Sequence, residues 1–152
     1  MANRAEGLPL DNPYELLILA SIIERETAVD SERGQVAGVF VRRLQKGMRL
    51  QTDPTVIYGL GENFDGNLTR RHLRDESNLY NTYRHGGLPP SPIALPGRAS
   101  INAALHPAEG DALYFVARGD GSHVFSATLA EHEAAVRKYQ LKRRADYRSS
   151  PQ

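Results

Sequence analysis

The chain has 152 residues, of which 40% are apolar and 24% charged, and its formal net charge is +1. That length fits one domain, and the near-neutral balance gives no sign of a nucleic-acid partner. There is no cysteine, which excludes disulfides, thiolate catalysis and cysteine-ligated metal sites.

The longest strongly apolar run, Leu16 to Ile23, is broken only by Ser21 and falls well short of the roughly 20 residues that span a bilayer. Residues 1–7 lack the basic and apolar regions of a signal peptide and read like a piece cut from a longer protein. The expected layout is a domain over 11–148, with tails at 1–10 and 149–152.

Asn12-Pro13-Tyr14-Glu15 predicts a helix start: Asn caps, Pro suits the first turn, and Glu15 can reach back. The helix that follows is apolar on nearly all sides, so it is expected to be central and buried. Ser31 is the expected cap of a second helix, with Val36, Val39, Phe40 and Leu44 at helical spacing and Gly47 as its stop. Met48 to Thr52 is expected to be extended. Asp53-Pro54 opens a short helix that Gly59 should close.

Residues 63–67 form a turn, and Thr69 to Leu73 one helical turn. Tyr80 to Pro96 has no period, and an ordered loop of that length is more often functional than idle. Arg98 to His106 reads as a helix, ended by Pro107. Ala112 to Ala117 reads as a buried strand, paired with His123 to Ser126 across a Gly-rich turn. Thr128 and Glu131 make a capping box for a last amphipathic helix. The basic residues Arg137, Lys138, Lys142, Arg143, Arg144 and Arg148 either complement that helix's dipole or attract an anionic polymer or membrane surface.

The sequence has no phosphate loop, nucleotide fingerprint or serine elbow. The histidines His72, His85, His106, His123 and His132 show no metal-ligand spacing, so no metal and no cofactor are expected. Carboxylate chemistry remains. Glu24 lies on a helix face shared with Leu17, Ala20 and Ser21. Such surroundings should disfavour its charged form and raise its pKa, which suits a general acid. Gln51, Thr52, Asp53, Tyr80, Asn81, Thr82 and Tyr83 offer the amides, hydroxyls and rings that sugar polymers bind. The same residues admit a structural reading: Glu24 paired with an arginine, Glu26 solvated, Asp53 an N-cap and the tyrosines part of the core.

Leu19-Ala20-Ser21-Ile22-Ile23-Glu24-Arg25-Glu26-Thr27 resembles the signature of the YceG-like endolytic murein transglycosylases. Gly47-Met48-Arg49-Leu50-Gln51-Thr52-Asp53-Pro54-Thr55-Val56-Ile57-Tyr58-Gly59 is similar to that family's most distinctive stretch. Val39-Phe40-Val41-Arg42-Arg43-Leu44 also matches, apart from Arg42 where Asn is usual. Further matches are Tyr80-Asn81-Thr82-Tyr83, Gly87 to Ile93, Pro96-Gly97, and Leu113 to Ala117 through His123 to Ser126. The resemblance spans roughly residues 13–140.

The resemblance implies cleavage of the β-1,4 bond between N-acetylmuramic acid and N-acetylglucosamine within glycan strands, leaving a 1,6-anhydromuramic end. It carries the catalytic glutamate to Glu24, with Glu26 as the alternative, and one carboxyl acts first as acid and then as base. Gln51, Thr52, Asp53, Tyr80, Asn81, Thr82 and Tyr83 are expected to bind substrate. The implied partners are glycan strands and peptidoglycan synthases. The implied location is the inner membrane facing the periplasm, reached through an N-terminal anchor not present in this sequence. Two alternatives stand beside it: a water-using muramidase with Asp53 as second carboxylate, and a non-catalytic glycan-binding domain. The expected fold is α+β, mainly helical, with a buried catalytic helix and a small antiparallel hairpin. The cleft is expected between that helix, the 51–53 segment and the 80–96 loop.

Overall fold

The computed structural model describes residues 7–148, with side chains described as far as Tyr139. Within these residues lie α1 (Pro13–Glu26), α2 (Asp30–Lys46), α3 (Asp53–Leu60), α4 (Arg70–Arg74), α5 (Arg98–Leu105), β1 (Tyr114–Ala117), β2 (His123–Ser126) and α6 (Leu129–Arg148). This is the expected α+β domain, mainly helical, with one two-stranded antiparallel sheet.

The start of α1 forms as its sequence predicts. Asn12 accepts the Glu15 backbone N–H at 2.9 Å, and the Glu15 carboxylate accepts the Asp11 N–H at 2.8 Å. The helix then runs through the centre of the molecule, packed by α2, α3 and α5. Leu19, Ala20, Ile22 and Ile23 are fully enclosed, while Leu17 alone among 16–23 turns outward. Val36 and Phe40 of α2 complete the core around it. Burying each such large side chain contributes about 1.5–3 kcal/mol, so α1 is the axis on which everything else is positioned. Leu8 and Leu10, in the stretch read as a tail, are also buried in this core. The other tail residues, 1–6 and 149–152, lie outside the described residues, as do the side chains of the basic cluster at 142–148.

Several predicted helix ends move. α2 begins at Asp30, with Val29 in the cap position and no side-chain cap, so Ser31 does not cap it. The turn is held instead by Thr27, whose hydroxyl oxygen accepts the Val29 N–H at 3.0 Å, and Asp30 and Glu32 face the positive end of the helix. Its far end is as expected: Gly47 adopts φ 72, the left-handed conformation that glycine takes without a Cβ clash. In α3, Thr52 is the cap residue and Asp53 the first helical residue, so Asp53 is not an N-cap. The helix runs past Gly59 and closes at Gly61.

Within the 48–52 segment, expected to be extended, Gln51 turns the chain with φ 52. The 80–96 loop contains no helix or strand and is pinned from within. Ser21 accepts the Ile93 N–H at 3.0 Å, donates to the Ile18 carbonyl at 2.7 Å, and thereby brings Ile93 into the core.

The hairpin pairs Tyr114 with Ser126 and Ala117 with His123. β1 is half-buried along its length rather than buried, since a two-stranded sheet has few neighbours. Phe115 packs edge-on against Phe40, their centroids 5.7 Å apart. Arg42 and Arg43 bind this region to α2. Arg42 donates to the carbonyls of Ala112 and Ala108 at 2.7 and 3.0 Å, and Arg43 to those of Leu113 and Arg49, each at 2.6 Å. No helix among the described residues is long and apolar enough to cross a membrane.

Candidate active site

A cavity of about 750 Å³ opens where the end of α1, the 50–53 segment and Tyr83 face the hairpin and α6. Glu26, the last residue of α1, lines it; Glu24 does not. Successive residues on a helix step by about 100°, so two positions this close in sequence face different ways.

Glu26 accepts one hydrogen bond, from the Thr52 hydroxyl at 2.8 Å. Burial pushes its pKa above the ordinary value, and the charge of Asp53 pushes in the same direction. The Thr52 hydrogen bond and His123 oppose this shift. Burial dominates because a carboxylate loses far more hydration than one hydroxyl returns.

Glu24 has the reverse environment. Its carboxylate accepts the Gly97 backbone N–H at 2.8 Å and the Ser100 hydroxyl at 3.0 Å. Those two bonds hold its pKa below the ordinary value. The expected rise at Glu24 is therefore corrected: the side chain leaves the apolar face of α1 and serves the N-terminus of α5, where donors and the helix dipole favour charge.

Asp53 also lines the cavity and accepts the Tyr83 hydroxyl hydrogen at 2.5 Å. Burial, then the Asp53 carboxylate, pushes the Tyr83 phenol strongly upward, so Tyr83 is a donor at any working pH. Gln51 is the one non-glycine residue of positive φ among those described, and it borders the cavity. Left-handed backbone costs about 1–2 kcal/mol for a residue with a Cβ, and such strain collects at functional sites. It is held there by surrounding bonds. The Gln51 N–H donates to the Thr82 carbonyl at 3.3 Å, and the Thr52 N–H to the Thr82 hydroxyl at 2.9 Å.

With that geometry in view, the family profile described as YceG-like matches residues 1–138. The chain belongs to the YceG-like family. It is 47% identical over 126 residues to an endolytic murein transglycosylase of Bacillus subtilis (strain 168), covering 83% of this chain and 34% of the relative. It is 32% identical to an endolytic murein transglycosylase of Streptococcus pneumoniae, covering 82% of this chain and 23% of that protein. A crystal structure of a yceG-like protein from Listeria monocytogenes superposes with a TM-score of 0.72 at 45% identity, covering 80% of this chain and 38% of the other. The chain thus spans about a third or less of the length of these curated relatives.

In this YceG-like domain, the candidate sugar-binding residues separate into two groups. Gln51, Thr52, Asp53 and Tyr83 line the cavity; Tyr80, Asn81 and Thr82 do not. Asn81 is fully buried and is a structural knot. Its amide donates to the carbonyls of His72, Leu73 and Asp75, and its oxygen accepts the Tyr83 N–H at 3.0 Å. Thr82 is enclosed between Thr52 and Thr55. Tyr80 packs on the Tyr58 ring and hydrogen-bonds Ser91.

Of the predicted 80–96 loop, only Tyr83 reaches the cavity. The wall missing from the sequence reading is the hairpin and α6, which contribute Tyr114, His123, His132 and Arg137. His132 stacks on the Tyr114 ring at 5.0 Å, and burial, then Arg43, lowers its pKa. These residues lie far from Glu26 in sequence, and scattered histidines gave no spacing by which to group them. Among the described residues, no cluster of three His, Cys, Asp or Glu could hold a metal ion.

Proposed function

We propose that this chain is the catalytic part of an endolytic murein transglycosylase and that Glu26, not Glu24, is its acid and base. One observation carries the reading: Glu26 is the half-buried carboxyl in the cavity wall, held by Thr52, while Glu24 is committed to α5. A raised pKa favours the protonated carboxyl, the form that can give a proton to a leaving oxygen.

In this reading, Glu26 gives its proton to the oxygen linking N-acetylmuramic acid to N-acetylglucosamine, and positive charge develops at the muramic anomeric carbon. The ionised Glu26 then takes the proton of the C6 hydroxyl, whose oxygen attacks that carbon and closes the 1,6-anhydro ring. No water is consumed. The tethered nucleophile avoids much of the entropy of recruiting a second reactant. Gln51, Asp53 and Tyr83 hold the sugar, and Thr52 aims the acid. Glycan strands are the substrate. Peptidoglycan synthases as neighbours, and an anchored parent in the inner membrane facing the periplasm, complete the proposal.

A second reading has its own observation, the charge of Asp53 bearing on Glu26 from the same cavity. A hydrolase would use that carboxylate to direct water. Product mass separates the two, since an anhydro end is lighter by one water than a reducing end.

The test compares Glu26→Gln with Glu24→Gln on purified sacculi. Loss of a general acid costs about 10²–10⁴-fold in rate. Glu26→Gln should lose at least that much, and Glu24→Gln should stay within severalfold of wild type. Wild-type cleavage by Glu26→Gln would sink the assignment.

A further inference from the structure

The reaction just described does not use His123, which lines the same cavity. His123 begins β2 and is 9% exposed. Glu32, in the first turn of α2, holds it at two points. One carboxylate oxygen accepts the His123 backbone N–H at 3.1 Å, and the other lies 2.9 Å from Nδ1. A carboxylate that accepts one N–H is an acceptor at its other oxygen too, so Nδ1 is the donor to Glu32 and Nε2 is the nitrogen left for another partner.

Two aromatic rings fix the plane of the imidazole. Phe115 meets it edge-on with centroids 5.4 Å apart, and Phe125 lies at 6.3 Å. Nε2 makes no hydrogen bond among the described residues, yet it is not a buried orphan atom. His123 and Glu26 line the same cavity. A ring clamped through one nitrogen at the wall of a cavity is built to present its other nitrogen in a fixed direction.

We propose that His123 is a substrate-contacting residue, its Nε2 hydrogen-bonding a hydroxyl of the sugar seated beside Glu26, and that Glu32 is the positioning residue that holds the ring through Nδ1. This rests on the sugar-cleaving reading of the cavity. A sugar hydroxyl both donates and accepts, so the contact holds the hydroxyl in place without transfer of a proton.

The test uses His123→Asn, because an asparagine amide nitrogen takes the place of Nδ1, keeps the donor to Glu32 and removes Nε2. The variant should unfold at the wild-type midpoint, with kcat on isolated glycan strands lowered roughly tenfold or more and KM little changed. Glu32→Gln, which weakens the hold on Nδ1, should lower kcat in the same direction. A folded His123→Asn that cleaves at the wild-type rate overturns the proposal.

Should that variant fail to fold, or the wild type fail to cleave, nitrogen-15 spectra of the wild-type protein decide. The Nε2 signal of His123 should move on addition of purified glycan strands. An unmoved signal overturns the contact. Movement without cleavage overturns the enzymatic reading alone and leaves the contact standing.

Discussion

Glu24 and Glu26 stand two residues apart near the end of α1, yet one reaches the start of α5 and the other faces the cavity. The same helix thus carries one carboxyl that is stabilised as an anion and one that is destabilised as an anion. Burial alone does not distinguish them in sequence. What distinguishes them is the surroundings the fold supplies: Glu24 meets a backbone N–H and a hydroxyl at a helix N-terminus, while Glu26 is desolvated at the cavity wall and meets one threonine.

Glu24→Ala should destabilise the fold by about 1 kcal/mol, the ordinary worth of a charge at a helix N-terminus with its hydrogen bonds. The folded-state pKa of Glu24 lies below 4.5, so its contribution is complete above the unfolded value and fades as pH falls through the folded one. Denaturant unfolding of wild type and variant should therefore differ at neutral pH and converge in acid, and glycan cleavage by the variant should survive.

Glu26→Gln should show the opposite linkage. The Glu26 pKa is raised above 4.5 on folding, so ionisation is disfavoured in the folded state. The protonated form's advantage holds below the unfolded pKa and is lost as pH rises through the folded one. The variant should accordingly be more stable than wild type at neutral and alkaline pH. The gap should close in acid, where both side chains are neutral. Thermal midpoints measured across pH check this, and a catalytic loss paired with a stability gain is the expected signature of an acid kept uncharged at a site.

Thr52→Val removes the hydroxyl that opposes the raised pKa of Glu26. The alkaline limb of the rate profile, where the acid loses its proton, should move to higher pH. The maximal rate should fall because the carboxyl is no longer aimed. One such hydrogen bond is worth about 1 kcal/mol in stability, so the variant should remain folded for kinetics.

Asn81→Ala removes donors from three carbonyls and an acceptor from Tyr83, all around a fully buried side chain. Leaving buried polar groups unpaired costs roughly 1–3 kcal/mol each when no water replaces the partner. A clear drop in midpoint is expected. Although Asn81 was read as a sugar ligand, glycan affinity per folded molecule should fall only as far as Tyr83 and Asp53 shift.

Much of the fold was legible because its signals are local. Asn12 caps, Gly47 stops, a short helical turn follows Thr69 and the hairpin pairs, each from a few neighbouring residues. The errors at Ser31, Asp53 and Gly59 are errors of one or two residues, at helix ends where no side chain forms a capping hydrogen bond. The site was legible only in part. The segment from Gln51 to Asp53 announces itself by its polar residues, but the direction of Glu24 depends on Gly97 and Ser100, more than seventy positions away. His123 depends on Glu32 across ninety-one positions. Pairings of that range leave no period in a single sequence. Arg42 is a local oddity with a distant cause, since its guanidinium binds carbonyls ahead of the hairpin.

The cavity is walled by the hairpin and α6, elements that come far after α1 in the chain. Glu26 is placed by its own helix, but its desolvation is lent by these distant partners. Local opening of the hairpin would therefore bathe the carboxyl in water and return its pKa toward the ordinary value while α1 stays folded.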